Sequence, residues 1–131
     1  MKKIIFIFLI TAGVIFFLLR WKVLLSNKKN TISYVLNNRK YELLTAATPQ
    51  EWEKGLMFYR KLDGADGMMF IFPDKKVRNF WNKNTFMDLR LYWLDGDTVI
   101  GESFLPSVEK NKETVIVSSP GKANKVIELP L

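Results

Sequence analysis

The side chains available for chemistry in this chain are acids, lysines, hydroxyls and aromatics, because it contains no histidine and no cysteine. That excludes disulfides, the usual zinc sites, a thiol nucleophile and any histidine-based triad or proton relay. Four acids, Asp63, Asp66, Asp74 and Asp88, fall close together in the sequence. Two carboxylates facing one cleft could do glycosidase-type acid–base work, but these four sit mostly at turns, where a solvated role is expected. The stronger group is Phe80-Trp81-Asn82-Lys83-Asn84-Thr85. Phe80 and Trp81 are neighbours on an expected strand and so face opposite sides. One belongs to the core; the other could stack on a sugar or a small planar ligand, although packing of both is the simpler expectation. Asn84 suits a left-handed turn and Thr85 a cap. Lys83 is of interest if it is partly buried. Met57, Met68 and Met69 stand in apolar contexts and read as core filler, not as ligands for a soft metal. No phosphate loop, dinucleotide fingerprint or Ser-x-x-Lys pair is present. No catalytic residue, metal site or cofactor is assigned.

The elements that must position these residues are short. Thr31–Leu36 and Lys40–Ala46 read as a hairpin around Asn37-Asn38. Thr48-Pro49-Gln50-Glu51 combines an N-cap, a proline at the first helical position and a capping-box glutamate, which predicts a helix from Pro49 to about Phe58. Asp63–Gly67 reads as a turn, with Gly67 at positive φ and Gly55 serving close packing. Met68–Phe72, ended by Pro73-Asp74, is an apolar run suited to a strand buried on both faces. Val77–Asn82, Leu89–Leu94, Thr98–Leu105, Thr114–Ser118 and Lys125–Leu129 follow as strands, with Asp95-Gly96-Asp97 as a hairpin turn. About eight short strands and one helix predict a mostly β (α+β) fold, a β-sandwich or partly open barrel and not a parallel α/β sheet.

Charge divides the chain. The first 29 residues carry six basic side chains and no acid, so the formal charge of +7 is +6 from this leader and +1 from the remainder. A nearly neutral domain lacks the basic excess of a phosphate-tracking surface, and no nucleic-acid partner is expected. Ile4–Leu19 is an unbroken apolar stretch flanked by Lys2, Lys3, Arg20 and Lys22. At about 1.5 Å per residue it spans roughly 24 Å, and Val23–Leu25 could extend it across a bilayer. No Ala-x-Ala-like cleavage site follows. Residues 1–25 are therefore expected to be a transmembrane anchor or signal segment, 26–30 a polar tether, and 31–131 one β-rich domain. A strict count of flanking basic residues favours the C-terminal side as cytoplasmic, but the short Met1–Lys3 tail before a single apolar run resembles an export signal, and the domain is expected outside the cytoplasm.

Three blocks carry a resemblance: Gly55-Leu56-Met57 preceded by Glu51, Gly67-Met68 with Phe70, and Phe80-Trp81 with Lys83-Asn84-Thr85. With Leu62, Leu89, Asp95-Gly96 and Val126-Ile127-Glu128-Leu129, the chain from Thr31 onward resembles the domain of unknown function 192 family, small bacterial and archaeal proteins that are often exported or membrane-anchored. The resemblance implies a mostly β fold with one helix and a groove near the motifs; it implies no reaction. The chain departs from the family pattern where Trp52 and Tyr59 replace arginines, Asn82 replaces a methionine, and Arg90 replaces an aspartate. These changes suggest one remodelled polar site that joins Tyr59 and Arg90, with Arg60 and Asp88 partly restoring it. The sequence thus points to a tethered β-domain that binds a small ligand, a peptide or a cell-envelope component near Tyr59, Arg60, Trp81, Lys83, Asn84, Thr85, Asp88 and Arg90. A carboxylate-based envelope hydrolase and a non-catalytic assembly subunit are the alternatives.

Overall fold

Residues 30–110 and 113–131 are described by the computed structural model; the expected anchor lies outside the described residues, as does the tether up to residue 29. Asn37 and Asn38 both adopt positive φ, 49° and 64°, the backbone that a two-residue hairpin turn demands and asparagine tolerates. They join β1 (Thr31–Leu36) to β2 (Arg39–Ala46). The helix α1 (Pro49–Lys54) is shorter than its sequence predicts. Its start is the expected capping box: the Glu51 amide donates to the Thr48 hydroxyl, and the Glu51 carboxylate accepts from the Ala47 and Thr48 amides at 2.8 and 3.0 Å. Its last residue, Lys54, falls four short of the expected limit, because Gly55 at φ 46° turns the chain out of the helix.

Beyond α1 the chain enters β3 (Gly67–Lys76), which pairs parallel to β2. It is the one parallel pair in an otherwise antiparallel sheet among the described residues, and α1 is its crossover. Pro73-Asp74 does not end β3 but coincides with a register shift between Ile71 and Lys76. β5 (Leu89–Asp95), β6 (Thr98–Leu105) and β8 (Ala123–Pro130) complete a six-stranded sheet in the order β1-β2-β3-β8-β5-β6. β4 (Asn79–Trp81) and β7 (Ile116–Ser118) form a separate two-stranded ribbon.

The sheet is strongly curled. β1 and β5 are four strand spacings apart, roughly 19 Å in a flat sheet. Yet the Tyr34 hydroxyl on β1 donates to Asp97, in the turn that follows β5, at 3.3 Å. The curl stops short of closure, since no ladder joins β1 to β6 among the described residues. The expected mostly β fold of about eight strands and one short helix is present; in place of the expected sandwich or partly open barrel, the sheet is open and curled, with a ribbon on one face.

Alternation along the strands builds two cores. One face carries Leu44, Phe70, Leu89, Leu91, Trp93 and Val126, against which α1, Tyr59 and the ribbon pack. The other carries Leu36, Leu43, Met69, Leu94, Ile127 and Leu129, with Tyr34, Tyr41 and Tyr92 around them. Burial of these side chains is the main stabilising term, about 25 cal/mol per Å² of apolar surface.

Candidate functional site

The three sequence blocks meet at one place. Gly55, Leu56 and Met57 after α1, Phe70 on β3, Phe80 and Trp81 on β4, and Thr85 surround a hollow of about 20 Å³. Its floor is Glu128 on β8. Glu128 is 4% exposed, and no described residue hydrogen-bonds its carboxyl. Burial alone pushes this acid up to about 8, so near neutral pH it holds its proton. An unpaired buried carboxyl is costly and uncommon in a structural role.

Local sequence explains how it gets there. Glu128 lies on the same face of β8 as Val126, towards the core beneath α1 and the ribbon. β8 is central in the sheet, paired with β3 on one side and β5 on the other, so its alternate side chains must be buried. Gly67 admits β8 closely: a Cβ there would lie 2.1 Å from the Glu128 carbonyl oxygen. Gly67 thus serves close packing, not the expected positive φ, and the positive φ falls at Gly55. Gly55 also packs tightly, with its missing Cβ 3.1 Å from the Phe70 ring.

Asn82 sets the ribbon over this floor. It is fully buried; its side-chain amide donates to the Pro106 carbonyl at 3.0 Å and its carbonyl accepts from the Val115 amide at 2.9 Å. Its backbone carbonyl also accepts from the Thr85 amide at 3.0 Å. Asn84 adopts the expected left-handed conformation, φ 52°, and its carbonyl accepts from the Phe58 amide at 2.8 Å, tying the first block to the third. Phe80 points inward, edge to face against Phe70 and Trp93 with ring centroids 4.8 and 5.5 Å apart. Trp81 points outward and is 41% exposed.

The remaining expected residues separate. Lys83 is exposed, with its ammonium 5.0 Å from the Trp81 ring centroid; it covers an aromatic face and is not the partly buried lysine that would mark a site. Thr85 is buried at the hollow, and its hydroxyl donates to the Lys83 carbonyl at 3.3 Å. Arg60 and Asp88 do line one cleft, of about 650 Å³. Each is paired within it: Arg60 bonds Glu109 at 2.8 Å and stacks on Phe86, while Asp88 accepts from Lys110 and from the Ser107 amide. The Lys110 contact, then the Ser107 amide, hold the Asp88 carboxyl below the usual range.

The suggested joint site of Tyr59 and Arg90 is corrected. Tyr59 packs on the core face that holds Trp93, whereas Arg90 alternates with Leu89 and Leu91 and shares the opposite face with Tyr92. There it lines a separate hollow of about 460 Å³ with Arg39, Tyr41 and Tyr92. Trp52, at the other altered position, is a packing residue: its indole N–H donates to the Ala46 and Ile71 carbonyls, and its ring lies 4.9 Å from that of Phe72. Glu128 and Asn82 were not among the sequence candidates. The signal for Glu128 was present as one acid inside the apolar run Val126–Leu129.

The sequence model of the domain of unknown function 192 family, described as an uncharacterised ACR, matches residues 32–131. No curated protein matches the chain. Two solved structures are similar. One, from Sinorhizobium meliloti 1021 and provisionally named a transcription regulator, is 26% identical; the match covers 76% of this chain and 78% of that one, with a TM-score of 0.60. The other, a protein of unknown function from Novosphingobium aromaticivorans, is 21% identical, with 76% and 71% covered and a TM-score of 0.62, and shares the fold.

Proposed function

We propose, for a chain that belongs to the domain of unknown function 192 family, that it is a membrane-tethered, extracytoplasmic binding domain whose site is the hollow over Glu128. Its ligand is a small molecule, a peptide or a cell-envelope component that presents one small group to this hollow and lies against Trp81. The observation that carries the reading is the unpaired, buried Glu128 carboxyl where three motif blocks meet. The apolar run Ile4–Leu19 with its flanking lysines supports the tether. The regulator name of the Sinorhizobium relative is not extended to this chain, because residues 30–131 carry 14 basic and 13 acidic side chains and so lack a basic excess.

A thermal-shift screen of envelope fragments against the full chain in detergent tests the reading. A genuine ligand raises Tm, and the rise disappears in Trp81→Ala and Glu128→Gln but persists in Lys83→Ala. A hit that survives both of the first two substitutions would dismiss the site.

One observation favours a hydrolase as the second reading. Glu53, exposed on α1, lines the same opening as Glu128, so two carboxyl groups share one mouth, the pairing that acid–base hydrolysis needs. A hollow of about 20 Å³ holds roughly one water-sized group and no sugar ring, which leaves binding as the better-supported function.

A further inference from the structure

Several of the donors around the hollow over Glu128 are already committed. The Trp52 indole N–H is committed to two backbone carbonyls. The Gly55 and Met57 amides are committed to the carbonyls of Glu51 and Lys54. The Thr85 hydroxyl proton is committed to the Lys83 carbonyl, which leaves its oxygen lone pairs. What remains is the Glu128 carboxyl, the Thr85 oxygen and the aromatic side chains of Phe70, Phe80 and Trp81, with the exposed Glu53 and Lys54 of α1 at the rim. Carboxylate and aromatic π-faces attract the same kind of group, a compact cation with several N–H donors. The hollow admits a group about the size of one water, which suits an –NH₃⁺ head and excludes a guanidinium or a quaternary ammonium. The molecule already places one ammonium, that of Lys83, 5.0 Å from the centroid of the Trp81 ring.

Resting on the binding reading above, we infer that the ligand class of this site is a primary alkylammonium, an amine-terminated chain or amino-bearing fragment whose –NH₃⁺ head enters between Trp81 and Thr85 and pairs with Glu128. A neutral carbonyl group fits less well. It would take the proton of Glu128 but leave the second carboxyl oxygen and the Thr85 lone pairs unmet, whereas an ammonium has three donors for them.

Pairing with an ammonium requires Glu128 to ionise, so binding expels a proton: the carboxyl O–H breaks, the proton leaves to buffer, and the ammonium keeps its own three. The charged groups at the opening are Glu53 and Lys54 of α1, both exposed; the lining residues of β3, β4 and the following loop are uncharged, as is Leu91 beside Glu128 on β5. Glu128 thus dominates the proton linkage. The sign follows directly: the free site is protonated below about 8, so alkylammonium affinity rises about tenfold per pH unit from pH 6 to 8 and levels off above.

The test titrates the full chain in detergent micelles with n-butylammonium and, separately, with N-methylacetamide, following the tryptophan indole N–H signals by NMR at pH 6, 7, 8 and 9. The expected result is butylammonium binding that strengthens about tenfold per unit to pH 8. It weakens at least tenfold in Glu128→Gln and several-fold in Trp81→Ala, an exposed position that should not disturb folding. Binding of N-methylacetamide alone, weakening above pH 8, would overturn the ammonium assignment and leave the site standing. Binding of neither probe, or equal binding to Glu128→Gln, would overturn both.

Discussion

Two hollows on this domain invite opposite treatment. The larger, about 650 Å³, carries Arg60, Asp88, Glu109 and Lys110, and these charges are already satisfied by one another and by the Ser107 amide. The smaller, about 20 Å³, holds one carboxyl that nothing described satisfies. Size favours the first as a ligand pocket. Chemistry favours the second, because exposed ion pairs contribute little and change little on binding, whereas an unpaired buried acid is a large free-energy cost that an incoming partner can relieve. In this domain unmet chemistry, more than volume, locates the site.

The comparison can be broken most severely at the seam beneath the small hollow. Gly67→Ala drives a Cβ into the Glu128 backbone carbonyl, which belongs to a central strand and cannot yield cheaply. We expect a loss of at least about 4 kcal/mol, seen as a failure of the cooperative unfolding transition in urea. A stable Gly67→Ala domain would mean that β3 and β8 are not so closely apposed.

The next effect tests the cost of Glu128 itself. A carboxyl raised from 4.5 to about 8 in the fold is held protonated while the unfolded chain releases its proton. Stability contributed by the protonated form is complete below about pH 4.5 and is lost as pH rises to about 8. At pH 7 the penalty is about 3 kcal/mol. Glu128→Gln should therefore unfold at higher urea than the natural chain at pH 7 to 8, with the gap closing towards pH 4.5. A gap that is constant with pH would place Glu128 in an ordinary environment.

Asn82→Ala comes third. It orphans the part-buried Val115 amide and Pro106 carbonyl and empties a fully buried side-chain site, a loss of about 2 kcal/mol, and it should loosen Trp81, read as a red shift and faster quenching of tryptophan fluorescence. In the large cleft, by contrast, Arg60→Ala or Lys110→Ala should move stability by about 0.5 kcal/mol or less, and any shift should shrink further in 0.5 M salt. A loss of several kcal/mol there would reverse the ranking of the two hollows.

What the sequence reveals follows the range of the interactions. The α1 capping box, the Asn37-Asn38 turn, the left-handed Asn84 and the opposed faces of Phe80 and Trp81 are legible because each depends on residues within a few positions. The role of Gly67 is misread from sequence because the contact that decides it is with β8, some sixty positions away. Tyr59 and Arg90 are both marked by altered charge, but only the topology reveals that the sheet lies between them. Glu128 reads as one acid at the end of a strand until β3 and β5 are known to flank it on both sides. Asn82 reads as the loss of a methionine; in the fold it is a clamp for Pro106 and Val115.

The account rests on the state of one side chain, and that can be measured directly. With glutamate labelled at the side-chain carboxyl carbon, the Glu128 signal, assigned by its absence in Glu128→Gln, is followed by NMR from pH 3 to 10 in the absence of ligand. The expected midpoint is near 8. A midpoint at or below 4.5, the ordinary value, would mean that Glu128 is solvated or already paired, and would contradict it.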